Sequence, residues 1–199
     1  MPKKVDHEER RRALAEAVFA VIGERGIEAV SVRDVARQAE VSLGTVQHYF
    51  ATKHEMLLFA LGHLRDRIGR RLATEMALLP QPATRRATVR HTLRATMPID
   101  DPSRHEAVVT IAFFSYATVD PAYARLLHDS YTRILAVLRG WFAEADAAGE
   151  LRPGVDAATE ATSLYVLTQG LVGPLLIGTF TPEEAVGLLD GALDRIFAT

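Results

Sequence analysis

Apolar residues along this chain return every three or four positions almost throughout. Nowhere do they alternate singly over a strand's length, so the pattern predicts helices and no sheet. Over residues 7–25, Ala13, Ala17, Val18, Val21 and Ile22 fall on one helical stripe, with Phe19 beside it. Gly26 supplies a stop, after which Ile27 and Val30 can pack back. A second helix is expected from Ser31, where Asp34 three positions on makes a near capping box and Val32, Val35 and Ala36 face inward. Ala39, Glu40 and Val41 form a turn. Ser42 then caps a short third helix that ends near Phe50. Thr52 is the expected cap of a fourth helix, which carries Met56, Leu57, Ala60, Leu61, Leu64 and Ile68 toward Leu79. Pro80 and Pro82 punctuate the chain there.

The remainder reads as further helices over 83–96, 103–119, 121–148, 157–177 and 183–197. Met97 to Pro102 reads as a break, with Asp100 and Asp101 in a loop. Asp120 is placed as a cap with Pro121 at the first helical position, Asp156 as a cap, and Thr181-Pro182-Glu183-Glu184 as a start signal. The expected fold is all-α. An N-terminal three-helix helix-turn-helix domain spans residues 1–54 and a C-terminal helical domain spans 55–199. The boundary falls inside the fourth helix, near residue 55, with no flexible linker.

Composition narrows the function. With 199 residues, 48% of them hydrophobic, the chain can bury a substantial core. It has no cysteine, which excludes a disulfide framework and thiol catalysis. Its start is polar and no apolar run reaches membrane-spanning length, which points to a soluble cytoplasmic protein with no membrane partner. The formal net charge is −2, so nucleic-acid binding cannot come from bulk positive charge and must come from local geometry. Lys3, Lys4, Arg10, Arg11 and Arg12 make a basic start that Asp6, Glu8 and Glu9 interrupt. Arg65, Arg67, Arg70 and Arg71 form a second basic stretch.

That geometry lies in residues 31–53. A helix enters the major groove only when a second helix braces it across a short, small-sided turn, and Ala39-Glu40-Val41 meets that need. Val35, Ala36, Val41 and Val46 can form the shared core, and Phe50 is expected in it. Gln38, Ser42, Leu43, Thr45, Gln47 and His48 are left on or near the outside. Thr45 can touch a thymine methyl or a phosphate, Gln47 can read adenine or reach a phosphate, and Leu43 can meet a base methyl or sugar. His48 and Tyr49 can donate to phosphate oxygens, and Lys53 at the start of the fourth helix can grip one. Arg33 and Arg37 on the brace helix suit the backbone rather than bases.

The segments GIEAVSVRDVARQAEVS and GTVQHYFATKHEML, within residues 15–61, resemble the DNA-binding domain of TetR/AcrR-family transcriptional regulators. The resemblance implies that Val32 to Gln38 is the brace and Ser42 to His48 the recognition helix. It implies base or backbone contact by Thr45 and backbone contact by Tyr49 and Lys53. The family commonly has an aromatic where His48 stands, so operator preference stays open. The body resembles, in outline, regulators of the BetI type, without making choline the ligand. The resemblance further implies a homodimer on double-stranded operator DNA, joined through the last two helices. Leu164, Leu167, Leu171, Leu175, Val186, Leu189, Leu193 and Ile196 would meet the partner, with Gly170, Gly173 and Gly187 allowing close approach. An effector pocket is expected among Met97, Phe113, Phe114, Tyr116, Tyr123, Leu127, Tyr131, Trp141, Tyr165 and Gln169, a set suited to a small apolar or amphipathic molecule.

No enzyme, cofactor or metal is expected. The seven histidines are scattered without a metal-ligand spacing, with His48 and His54 in the reading head explained by phosphate contact or exposure. Phosphate-loop, dinucleotide and serine-elbow signatures are missing. Two alternatives stay open: a dimeric helical protein that no longer binds DNA specifically, and activation in place of repression.

Overall fold

The computed structural model describes residues 2–80 and 82–198, with side chains from residue 7 onward. The side chains of Lys3, Lys4 and Asp6 therefore lie outside the described ones. Among the described residues the elements are α1 (Pro2–Arg25), α2 (Val32–Gln38), α3 (Leu43–Tyr49), α4 (Lys53–Ala77), α5 (Arg85–Ala95), α6 (Asp101–Ala117), α7 (Pro121–Ala147), α8 (Ala157–Leu176) and α9 (Pro182–Ile196). A 3-10 turn at Ile27–Ala29 follows α1. No strand forms among the described residues; Leu151 and Phe197 make one isolated bridge. The all-α expectation holds.

The contacts divide the chain into two units. Met1–Arg67 with Val108–His128 make the first, and Ile68–Ala107 with Asp129–Thr199 the second. In the first unit, Val18, Phe19, Val21, Ile22, Val35, Val46, Phe50, Met56, Leu57 and Leu64 are all buried. Ile27 and Val30 are buried as well, so the 3-10 turn folds its apolar ends back as the pattern predicts. The stop is real: Gly26 takes a φ of 78°, open to glycine at no steric cost.

In the second unit a contiguous core joins Val89, Leu93 and Met97 to Leu138, Phe142, Leu164, Leu171, Leu175, Leu189, Leu193 and Ile196. Most of the leucines expected to face a partner from α8 and α9 are thus internal. The large apolar groups exposed here are instead Val166 on α8, Ile177 at its C-terminal cap and Leu188 on α9. α9 starts with a complete capping box between Thr181 and Glu184, with Pro182 following the cap. α6 begins earlier than expected. Asp100 accepts from the Ser103 N–H at 2.9 Å and caps the helix, so Asp101 and Pro102 are helical rather than loop. A proline in the first turn costs nothing there, because its missing N–H would have had no partner.

A buried ion pair fixes the second half of α4. Arg71 donates to Glu106 from Nε at 2.9 Å and Nη2 at 2.7 Å, and to the Ala95 carbonyl at 2.9 Å. Glu106 is only 3% exposed. Glu106 is buried and Arg71 partly so, and removing Arg71 leaves a buried carboxylate stranded. Arg71→Met is expected to cost about 3–5 kcal/mol in urea unfolding followed by circular dichroism. The double variant Arg71→Met/Glu106→Met should recover most of that loss.

Candidate functional site

α3 is positioned by caps and by its brace. Ser42 Oγ accepts from the Thr45 N–H at 3.0 Å and also bonds Thr45 Oγ1 at 2.8 Å. Between brace and α3, Glu40 adopts a φ of 55°, which lets the chain turn sharply enough for the two helices to cross. The residues then sort into a buried and an exposed side. Val46 is fully buried; Gln47 and His48 are exposed and Leu43 is 38% exposed. Thr45 and Tyr49 are half-buried at the edge. Phe50 ends the helix inside the core, its ring 5.4 Å from that of Phe59.

Lys53 opens α4, half-buried at its N-terminus. The turn before it is locked: the Glu55 N–H donates to Thr52 Oγ1 and the Ala51 N–H to Glu55 Oε2, both at 3.0 Å. The structure therefore gathers Ser42, Leu43, Thr45, Gln47, His48, Tyr49 and Lys53 on α3, its cap and the next helix start, with Arg33 exposed on α2.

Much of the positive charge nearby is already engaged. Arg25 and Arg37 both donate to Asp34 Oδ1, at 2.9 and 3.0 Å. Arg67 bonds Glu16 at 2.8 Å. Arg11 bonds Glu55 at 3.3 Å and lies over the rings of Phe50 and Phe59, at 4.8 and 4.2 Å. His54 is exposed, as expected, and sits 3.4 Å from Asp120 Oδ2 and edge-on to Tyr123. Burial, with Asp120 and Tyr116 adding, pushes the Tyr123 hydroxyl up to about 12.

One neighbour of α3 is invisible to sequence reasoning. His7, on α1, lies with its ring 4.8 Å from Tyr49 and 6.4 Å from His48. Only the packing of α1 against α3 brings it there, and no local spacing signals it.

The expected effector residues do not form one group. Tyr131, Tyr165 and Gln169 line a groove of about 530 Å³ between α7 and α8, together with Leu135, Thr162 and Val166. Tyr131 donates to Gln169 Oε1 at 3.2 Å, and the two tyrosine rings are 5.7 Å apart. Burial pushes both tyrosine hydroxyls up, so they stay protonated donors across the physiological range. Met97 is buried in the core of this unit and Trp141 packs half-buried against it. Phe113, Tyr123 and Leu127 are buried in the first unit, where Tyr116 is half-buried and Phe114 is 39% exposed. Among the described residues no three metal-ligating side chains converge, and no helix is long and apolar enough to cross a membrane.

With this geometry in view, comparison with known proteins is direct. The family described as "Bacterial regulatory proteins, tetR family" matches residues 14–59, and "BetI-type transcriptional repressor, C-terminal" matches residues 83–198. The chain is 35% identical to the HTH-type transcriptional regulator PksA of Bacillus subtilis (strain 168), over 86% of this chain and 80% of that protein. It is 30% identical to the regulator BetI of Paraburkholderia phymatum, over 100% of this chain and 98% of that one. A transcriptional regulator from Rhodococcus sp. Rha1 superposes with a TM-score of 0.78 at 30% identity, covering 94% of this chain and 95% of that chain. A Saccharomonospora viridis regulator solved in complex with choline shares the fold, at a TM-score of 0.87 and 24% identity over 96% of this chain and 100% of that one.

The α2 clamp makes a pH prediction. The hydrogen bond from Ser31, then that from Arg25, hold the Asp34 carboxyl down to about 2 against opposing burial. An unfolded aspartate titrates near ~4. The stability this carboxylate contributes is thus complete above about pH 4 and is lost as pH falls toward about 2. Asp34→Asn should make the fall in unfolding free energy over that window shallower, as read by urea titrations at stepped pH.

Proposed function

The chain belongs to the TetR family of bacterial transcriptional regulators, and from that premise we propose that it is a ligand-responsive repressor, bound to a palindromic operator as a homodimer and released by a small apolar or amphipathic effector. The coarser part is established: this is a DNA-binding regulator of the repressor type, from a family of regulators and not of enzymes. In the proposal residues 1–54 read DNA, residues 55–199 bind effector and partner, and the protein works in the cytoplasm.

The observation that carries the reading is the exposed side of α3. Leu43, Gln47 and His48 stay in solvent on a helix whose opposite side is locked by Val46. Gly44 adds to it. A Cβ there would meet only Ser42 Oγ, at 3.8 Å, so no neighbour within the fold demands glycine. Glycine inside a helix costs up to ~1 kcal/mol relative to alanine, a cost that close approach of a DNA backbone would justify. Gln47 and Thr45 are assigned to base edges, and Arg33, Ser42, Tyr49 and Lys53 to the backbone.

Pairing is assigned to the outer faces of α8 and α9. Val166, Gly170, Gly173 and Ile177 follow one another at helical spacing, and Gly187 and Leu188 stand exposed on α9. Cβ atoms at these three glycines would meet nothing within 4 Å in one chain, which leaves room for a second helix. A closed two-fold dimer presents two copies of α3 to two half-sites, hence the palindrome. The effector is assigned to Tyr131, Tyr165 and Gln169. Its release signal would travel along α4, which continues from the first unit into the second.

Two measurements test this. Lys53→Ala should weaken binding to the DNA upstream of its own gene and to a scrambled duplex alike, and lower the salt slope by about 1. Gln47→Ala should instead erode the preference for the first duplex. Equal, weak binding of the wild type to both duplexes would reject a specific operator there. Separately, Val166→Asp should shift the protein from dimer to monomer in sedimentation velocity at micromolar concentration. An unchanged dimer would move the interface elsewhere.

A further inference from the structure

The histidines of this chain divide by what they touch. His54, His63 and His91 each lie within 3.4 Å of a carboxylate, of Asp120, Glu16 and Glu75 respectively. His7 and His48 differ. Both are exposed, and among the described residues neither ring has a hydrogen-bond or ion-pair partner. What they have is each other, at 6.4 Å, and the ring of Tyr49, at 4.8 Å from His7 and 5.1 Å from His48. Two imidazoles and a phenol thus meet in tilted and edge-on contact at the last turn of α3.

We propose that His7 is a DNA-contact residue: with His48 and Tyr49 it forms a protonatable phosphate site that extends the interface from α3 onto α1. This rests on the DNA-binding reading of α3 above. Neutral imidazole titrates near neutral pH and becomes a two-donor cation. A backbone phosphate laid against both rings favours their charged form, so the site takes up protons as DNA binds. The same ring contacts hold His7, His48 and Tyr49 in one arrangement, which limits the ordering cost of gripping a phosphate.

The surrounding charges favour an anion. On α1 stand Arg10, about one turn away, and the exposed Glu9, together with Lys3 and Lys4, whose side chains, like that of Asp6, lie outside the described ones. Glu8 is taken by Arg12 at 3.4 Å. From the first turn of α4 come Lys53 and Glu55, and Glu55 is held by Arg11 and by the Ala51 N–H. α3 adds no charged side chain besides His48.

The test is fluorescence anisotropy of the full-length protein on the upstream duplex and a scrambled one, at pH 6 and pH 8 and fixed ionic strength. The wild type should bind both duplexes about tenfold more tightly at pH 6, with a salt slope steeper by ~1–2. His7→Phe keeps a ring against Tyr49 without the proton, so it should lose more affinity at pH 6 than at pH 8. His7→Gln should do the same, and His7→Phe/His48→Phe should abolish the pH dependence. A His7→Phe protein that is folded by circular dichroism yet keeps the wild-type pH profile and salt slope overturns the site and reduces His7 to packing. Wild-type binding at both pH values without pH dependence overturns the site alone. No binding at either pH overturns both the site and the reading of α3.

Discussion

A helix of seven residues does not hold itself together in water, and α3 has seven. Fixing its first turn costs more than its few internal hydrogen bonds return, so every other feature of the first unit can be read as a support. Ser42 satisfies an amide at its start. Val46 and Phe50 anchor its inner side in a core built from α1, α2 and α4. Arg11 covers the Phe50 and Phe59 rings from outside. The brace helix, also of seven residues, is fastened in turn by Ser31, Arg25 and Arg37 converging on Asp34. The outer side of α3 can therefore be chosen for contact, because its stability is supplied from the other side.

The same logic explains a DNA-binding chain with a net charge of −2. The arginines do structural work first. Arg25, Arg37, Arg67 and Arg71 close onto carboxylates within their own units, and Arg90 grips Asp190 with both Nε and Nη2, fastening α5 to α9. Apart from Arg37–Asp34, which lies within α2, these pairs tie one helix to another, at a desolvation cost that is smallest near the surface. With these arginines committed to carboxylates and a net charge of −2, the proposed DNA contact rests on placed donors at the rim of α3 more than on the overall field.

What could be read from the sequence was what is local. The caps at Ser31, Ser42, Asp156 and Thr181 and the stop at Gly26 each depend on residues within one turn, and the structure bears them out. The start of α6 differs from the pattern because Pro102 occupies a first turn, where proline is at home, rather than a break. Glu40 gave no sign of its left-handed conformation, since the demand comes from the crossing of α2 and α3 rather than from glutamate. The leucines of α8 and α9 have the right spacing for either side of a helix. Only packing against α5 and α7 decides that Leu164, Leu171 and Leu189 go inward and that Val166 and Leu188 remain outside. His7 is the extreme case, meaningful only once α1 is laid on α3.

Helix α8 is where two parts of the proposed mechanism meet. Tyr165 and Gln169 turn into the groove beside α7, and Val166 and Gly170 line that groove while also lying on the outer stripe assigned to pairing. A helix packed to near-crystalline density cannot shift one side and keep the other fixed. An effector that pries Tyr165 from Tyr131 must therefore rotate or translate the stripe as well. By reciprocity, whatever a partner does to that stripe alters the affinity of the groove by the same factor. Small residues at Gly170 and Gly173 sharpen this link, because a close helix contact changes steeply with displacement where a contact through long side chains would yield. Under the proposed function, sensing and pairing would need no separate relay between them: α8 would carry both, and α4 would have only to pass the result to α3.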